Sequence, residues 1–168
     1  LPHLPQRSDD FLEEKHVFDF ITDMYVNVFG LNFAYWYQDI FINLQLKKIK
    51  DSANRLWYQA RNYDLFGRLE KAEPIYHKIL NNQNKNVFYE RAVFFLGQLL
   101  IRKKKYLEAK ELIRNFLIKN PDSQWASYFS FYLASCYENL GEMQKAIETY
   151  KQVKDAKLYA DAMMHIEQ

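Results

Sequence analysis

The residue types that commonly carry covalent or metal chemistry are present in this chain but not where they could cooperate. Its four histidines, His3, His16, His77 and His165, are scattered and share no ligand spacing, so they form no metal motif. The single cysteine, Cys136, has no histidine near it in sequence and can form no internal disulfide. It reads as a small apolar residue buried in a helix. Asp9 with Asp10 and Glu13 with Glu14 are adjacent pairs, and adjacent positions on a helix do not face a common point. No glycine-rich phosphate loop and no nucleophile elbow occurs. No residue is therefore assigned a catalytic role, and neither a metal nor a cofactor is expected. The spacing that does recur belongs to aromatic rings. Trp57, Phe94 and Phe131 stand 37 residues apart, a regularity suited to binding and not to bond making.

The same interval organises the small residues that must position those rings. Ala60, Gly97 and Ala134 are 37 apart, and each is followed 12 residues later by an alanine, Ala72, Ala109 and Ala146. Tyr63, Leu100 and Tyr137 follow the first small residue by three, and Tyr76, Ile113 and Tyr150 follow the second by four. A fixed period of this size marks stacked helix pairs. Two helices approach closely where small residues face each other, Ala60 with Ala72, Gly97 with Ala109 and Ala134 with Ala146, while the large neighbours fill the grooves between pairs. Gly97 inside a helix costs roughly 1 kcal/mol relative to alanine, which a close-contact role would explain.

The units are read as residues 53–85, 89–122 and 127–157. In the first, helices cover 53–66 and 69–80, Gly67 makes the turn, and Pro74 falls near the start of the second helix, with a kink as its expected cost. In the second, Arg102, Lys103, Lys104 and Lys105 form a solvated turn, and Asn120, Pro121 and Asp122 stop the following helix. In the third, Gly141 makes the turn. With 49% hydrophobic and 17% aromatic residues in 168, the chain can bury a core, and only 4 glycines and 4 prolines favour long helices over strands and turns. A net charge of +2 is too weak a signal for nucleic-acid binding, and no apolar run is long enough to span a membrane.

At these residues the sequence resembles the tetratricopeptide repeat family, whose unit is a helix-turn-helix. The third unit carries the fullest match, through Leu133, Ala134, Tyr137, Leu140, Gly141, Ala146 and Tyr150. The second shares Leu96, Gly97, Leu100, Tyr106, Ala109 and Pro121, and the first shares Ala60, Tyr63, Gly67, Ala72 and Tyr76. The family's first tryptophan is replaced by Leu56, Val93 and Ser130, and the period is 37 instead of 34. Such long units resemble those of bacterial envelope assembly and scaffold lipoproteins.

The resemblance implies an all-α, right-handed superhelical array of antiparallel helix pairs. Residues 51–168 would hold three repeats plus a C-terminal helix in one compact domain. Residues 1–50 would form an N-terminal helical hairpin or degenerate repeat packed on the array. Its first helix carries Phe18, Ile21, Tyr25 and Val28, and its second, near 32–50, carries Phe33, Trp36, Tyr37, Ile40, Phe41, Leu44 and Ile49. Ala160, Met163, Met164 and Ile166 supply the stripe of the last helix. The first helix of each unit would line a concave groove. Trp57, Phe94 and Phe131 would point into it, beside Arg61, Arg91, Gln98, Tyr128 and Glu138.

This implies a non-catalytic scaffold that binds another protein as a helix or extended segment, with the cell envelope (periplasm) as the expected compartment and the cytoplasm as the alternative. At the positions where the peptide-clamp members hold a carboxylate stand Trp57, Arg61, Phe95, Tyr128 and Tyr132, of which only Arg61 is cationic. An alternative is a structural or oligomerisation module whose groove is filled by its own N-terminal helices. The sequence starts at Leu1, so an anchor ahead of it would lie outside view and would add membrane association.

Overall fold

The computed structural model describes residues 31–81 and 88–167. The chain divides into two compact units, Leu1–Lys50 and Asp51–Gln168. Among the described residues all regular structure is helical. In the first unit, α1 (Leu31–Lys47) buries Ile42 and Leu46. The expected helix before it, with Phe18, Ile21, Tyr25 and Val28, lies outside the described residues.

The second unit is a run of seven helices: α2 (Ser52–Leu65), α3 (Leu69–Asn81), α4 (Tyr89–Arg102), α5 (Tyr106–Lys119), α6 (Ala126–Asn139), α7 (Met143–Tyr150) and α8 (Ala156–Glu167). Each packs on the next, and α4 also touches α6 while α6 touches α8. This is the contact pattern of stacked hairpins, with the first helices of neighbouring pairs side by side. The Asp51 carboxylate caps α2 by accepting from the Asn54 N–H at 2.7 Å. Pro74 lies inside α3 on its exposed side, and the helix continues past it to Asn81.

The three turns within the hairpins are built alike. Gly67, Lys104 and Gly141, 37 apart, all have positive φ, at +71°, +58° and +75°. After each, one N–H reaches back five residues: Arg68 to the Tyr63 carbonyl, Lys105 to Leu100 and Glu142 to Tyr137. The preceding N–H bonds three residues back, which completes a left-handed helix stop. The middle turn forces a lysine into a conformation that glycine adopts at no steric cost.

Ala60, Ala72, Ala109 and Ala134 are wholly buried and Ala146 nearly so. The middle hairpin closes differently from the small-on-small expectation. A β-carbon on Gly97 would stand 3.1 Å from Ile113 Cδ1, so the glycine makes room for isoleucine as well as for the approach of the two helices. In α8 the stripe against the third hairpin is buried Ala162 with partly buried Leu158 and Ile166, at helical spacing of four. Ala160 and Met164 face outward, which corrects the expected stripe.

Candidate functional site

An open cleft of roughly 470 Å³ crosses the first helices of the three hairpins. Its lining comes from α2 (Arg61, Asp64 and Leu65), α4 (Phe95, Gln98, Ile101 and Arg102) and α6 (Tyr132). Successive turns of a helix put residues three and four apart on one face, which brings Arg61 with Asp64 and Leu65, and Phe95 with Gln98 and Arg102, to the same side.

The polar centre of the cleft is a buried carboxylate shared between two guanidiniums. The Asp64 side chain is 3% exposed. It accepts from Arg61 Nη1 at 2.8 Å, from the Tyr76 hydroxyl at 3.0 Å, and from Arg102 Nη2. Burial raises the pKa of Tyr76 above the ordinary phenol value, so it remains a neutral donor to Asp64. The Arg61 guanidinium carbon also lies over the Phe95 ring, 3.6 Å from its centroid, in cation–π geometry. Gln98 Nε2 donates to the Tyr132 hydroxyl at 2.6 Å and ties α4 to α6.

Of the residues expected to form the groove, Arg61 and Gln98 share this cleft. Trp57 and Phe94 are corrected to interior positions. Trp57 is 5% exposed and stacks on Phe88, with ring centroids 5.2 Å apart, while its edge meets Tyr76. Phe94 is buried among Phe95, Trp125, Tyr128, Phe129 and Tyr132. Both rings are consumed by packing between hairpins, because a large residue at that register meets the next pair before it meets solvent. Tyr128 is half-buried on the Phe94 cluster, and Arg91 is half-buried on α4. Phe131 and Glu138 belong to a separate centre at the far end. There Tyr150 donates to Glu138 at 2.8 Å, and His165 of α8 stacks on Tyr150, meets the Phe131 edge and lies 3.1 Å from the Glu138 carboxylate.

Asp64, which sequence reading did not single out, and Arg102, which it placed in a turn and not in the groove, carry the site. Arg102 and its neighbours are also not a plain solvated turn. Arg102 turns back to Asp64, Lys103 pairs with Glu73 and, at 2.8 Å, with Glu70, and Lys105 pairs with Glu73 at 2.7 Å. The run bridges two hairpins because helix ends of adjacent pairs lie side by side. Cys136 is buried as expected, and burial pushes its thiol pKa up to about 12, which leaves it inert. Among the described residues no cluster of three or more His, Cys, Asp or Glu could hold a metal, and no helix is long and apolar enough to cross a membrane.

Comparison with known proteins agrees with this architecture. Residues 128–156 match the family model described as tetratricopeptide repeat. These residues span most of α6, all of α7 and the start of α8. Among solved structures, the chain is similar to MamA 41-end from Desulfovibrio magneticus RS-1. The TM-score is 0.59 at 16% identity, covering 90% of this chain and 80% of that one. It is also similar to the structure titled MamA RS-1 ArsTM double mutant, with a TM-score of 0.56 at 16% identity, covering 90% and 92%. At that identity the likeness is one of fold. No curated protein matches the chain by sequence. The third hairpin thus matches the tetratricopeptide repeat model, and the array has the fold of a helical solenoid.

Proposed function

We propose that this array of tetratricopeptide-type hairpins is a non-catalytic interaction scaffold that holds a helix or extended segment of another protein in the cleft across α2, α4 and α6. One observation carries the reading: three successive first helices contribute to one open concavity with apolar walls and a few fixed polar groups. Protein-binding concavities have this composition, apolar contact for affinity and sparse polar groups for orientation. Arg61 is already held by Asp64 and by the Phe95 ring, so less side-chain freedom is lost when a partner docks.

The 37-residue period favours a bacterial envelope protein, and cell fractionation tests that compartment directly. The groove reading is tested by affinity capture with the full chain, comparing wild type with Phe95→Ala and Ile101→Asp in the cleft and with Leu107→Asp on the exposed side of α5. Each cleft variant should weaken capture of the same partner by roughly 2 kcal/mol, with the fold checked by its melting curve. A partner lost only with Leu107→Asp would overturn the proposal.

A further inference from the structure

We infer that the cleft recognises an acidic side chain, Glu or Asp, carried within an amphipathic segment of the partner, and that Arg61, Arg102 and Tyr132 receive it. The inference rests on the cleft reading above and names the chemistry of its occupant.

Two guanidiniums and one carboxylate line the cleft, which leaves one net positive charge. The carboxylate is fully engaged: Asp64 accepts from Arg61, Arg102 and Tyr76 and is almost wholly buried. A guanidinium carries five N–H donors. Arg61 commits Nη1 to Asp64 and Tyr76, and Arg102 commits Nη2 to Asp64. Each keeps further donors, and the Arg102 side chain remains 47% exposed. The Tyr132 hydroxyl accepts from Gln98 and retains its own proton to donate. The cleft thus offers an excess of donors over free acceptors, beside the apolar walls of Leu65, Phe95 and Ile101. A ligand that satisfies it brings an anionic acceptor flanked by apolar surface.

Charge decides between anions. One net positive charge matches a monoanionic carboxylate better than a dianionic phosphate. Nucleic acid is disfavoured because two of the three lysines of the turn, Lys103 and Lys105, are already paired with Glu70 and Glu73, which leaves no run of free cations for a phosphate backbone. The arrangement also occurs once. One period on, Arg61 becomes Gln98, Asp64 becomes Ile101, and Arg102 becomes Asn139. A single acidic anchor would therefore set the register of the bound segment.

The test is selection of N-acetylated, C-amidated 15-residue peptides from a random array by the full chain. One selected peptide is then titrated in Glu, Gln, phosphoserine and free-C-terminus versions. The selected peptides should share an Asp or Glu at a fixed distance from aromatic or leucine residues. Replacing that Glu by Gln should weaken binding about ten-fold. In Arg102→Gln, whose fold is checked by circular dichroism, the same replacement should cost less than about three-fold.

Selected peptides without an acidic preference would overturn the inference while leaving the cleft as a binding surface. So would a Glu-to-Gln penalty unchanged in Arg102→Gln. Tighter binding of the phosphoserine version, or of a free C-terminal carboxylate without the internal Glu, would assign the cleft to those ligands instead. A folded chain that selects no peptide at all would overturn both the inference and the cleft reading.

Discussion

Between the first and second hairpins, Glu73 on α3 meets Lys105 at the head of α5, at 2.7 Å. Thirty-seven residues on, the same two positions carry Lys110 and Glu142, paired at 2.8 Å. The slot is the same and the polarity is reversed. What surrounds the pair differs more. The first junction adds Lys103 with Glu70, and Arg61, Asp64 and Arg102 on the cleft side. The second is filled by rings: Phe94, Phe116, Trp125 and Phe129, with Phe116 and Phe129 centroids 4.5 Å apart. The two junctions show that the stack accommodates a pair at this position with either sign. Rings hold both junctions, Trp57 on Phe88 at the first and Phe94 on Trp125 at the second, but the first also places an ion-paired carboxylate, Asp64, at the cleft.

The largest expected effect breaks the ring junction. Phe129→Ala removes a fully buried ring between Phe94 and Phe116 and should cost about 3–5 kcal/mol of unfolding free energy, read by urea denaturation at any salt concentration. Asp64→Asn at the other junction should cost roughly 1–3 kcal/mol, because Arg61 and Arg102 lose their shared carboxylate while staying partly hydrated. The gap between wild type and Asp64→Asn should narrow as NaCl rises, and the Phe129→Ala gap should not. An equal response to salt would erase the distinction between the junctions.

Lys104→Gly sharpens the comparison of turns. It should gain roughly 0.5–1 kcal/mol by placing glycine where φ is +58°, whereas Gly141→Lys should lose stability by a similar amount, both read from melting curves.

Reversing polarity is the subtler test. Glu73→Lys alone should lower the melting temperature, and adding Lys105→Glu with Lys103→Leu should recover most of the loss by reproducing the arrangement of the next junction, where Leu140 stands at the position of Lys103. Acid titration addresses the same pairs. Hydrogen bonds from Lys110 and Lys145 hold the Glu142 pKa down to about 2, from 4.5. Burial raises that of Glu73, but Lys103 and Lys105 outweigh it and hold it below its ordinary value. A carboxylate with a depressed folded pKa contributes stability above its unfolded value and loses it as pH falls. Stability should therefore decline from pH 4.5 down to about 2, and Glu142→Gln should make that decline shallower.

Much of the stack was legible because backbone approach constrains residue type. Ala60, Ala72, Ala109, Ala134 and Ala146 all sit in closed interfaces, and the glycine turns at 67 and 141 are where the period placed them. The turn between them was also placed, at 102–105, but not its left-handed residue, because a lysine such as Lys104 carries no signal of positive φ. The cleft was only half legible. A motif position cannot tell whether a ring faces solvent or the next hairpin, and Trp57 and Phe94 face the next hairpin. Asp64 and Arg102 are 38 residues apart, and their pairing depends on how far a guanidinium reaches across a junction. Opposite charges about one helix pair apart were the available signal, and Glu73 with Lys105 and Lys110 with Glu142 obey it at a separation of 32.

The most direct measurement places a photoreactive phenylalanine analogue at Gln98 in the cleft or at Leu107 on α5 and maps crosslinks to the captured partner. Adducts are expected from position 98 that the selected acidic peptide competes away, with little from position 107. Adducts confined to position 107, in a folded chain, would contradict docking in the cleft.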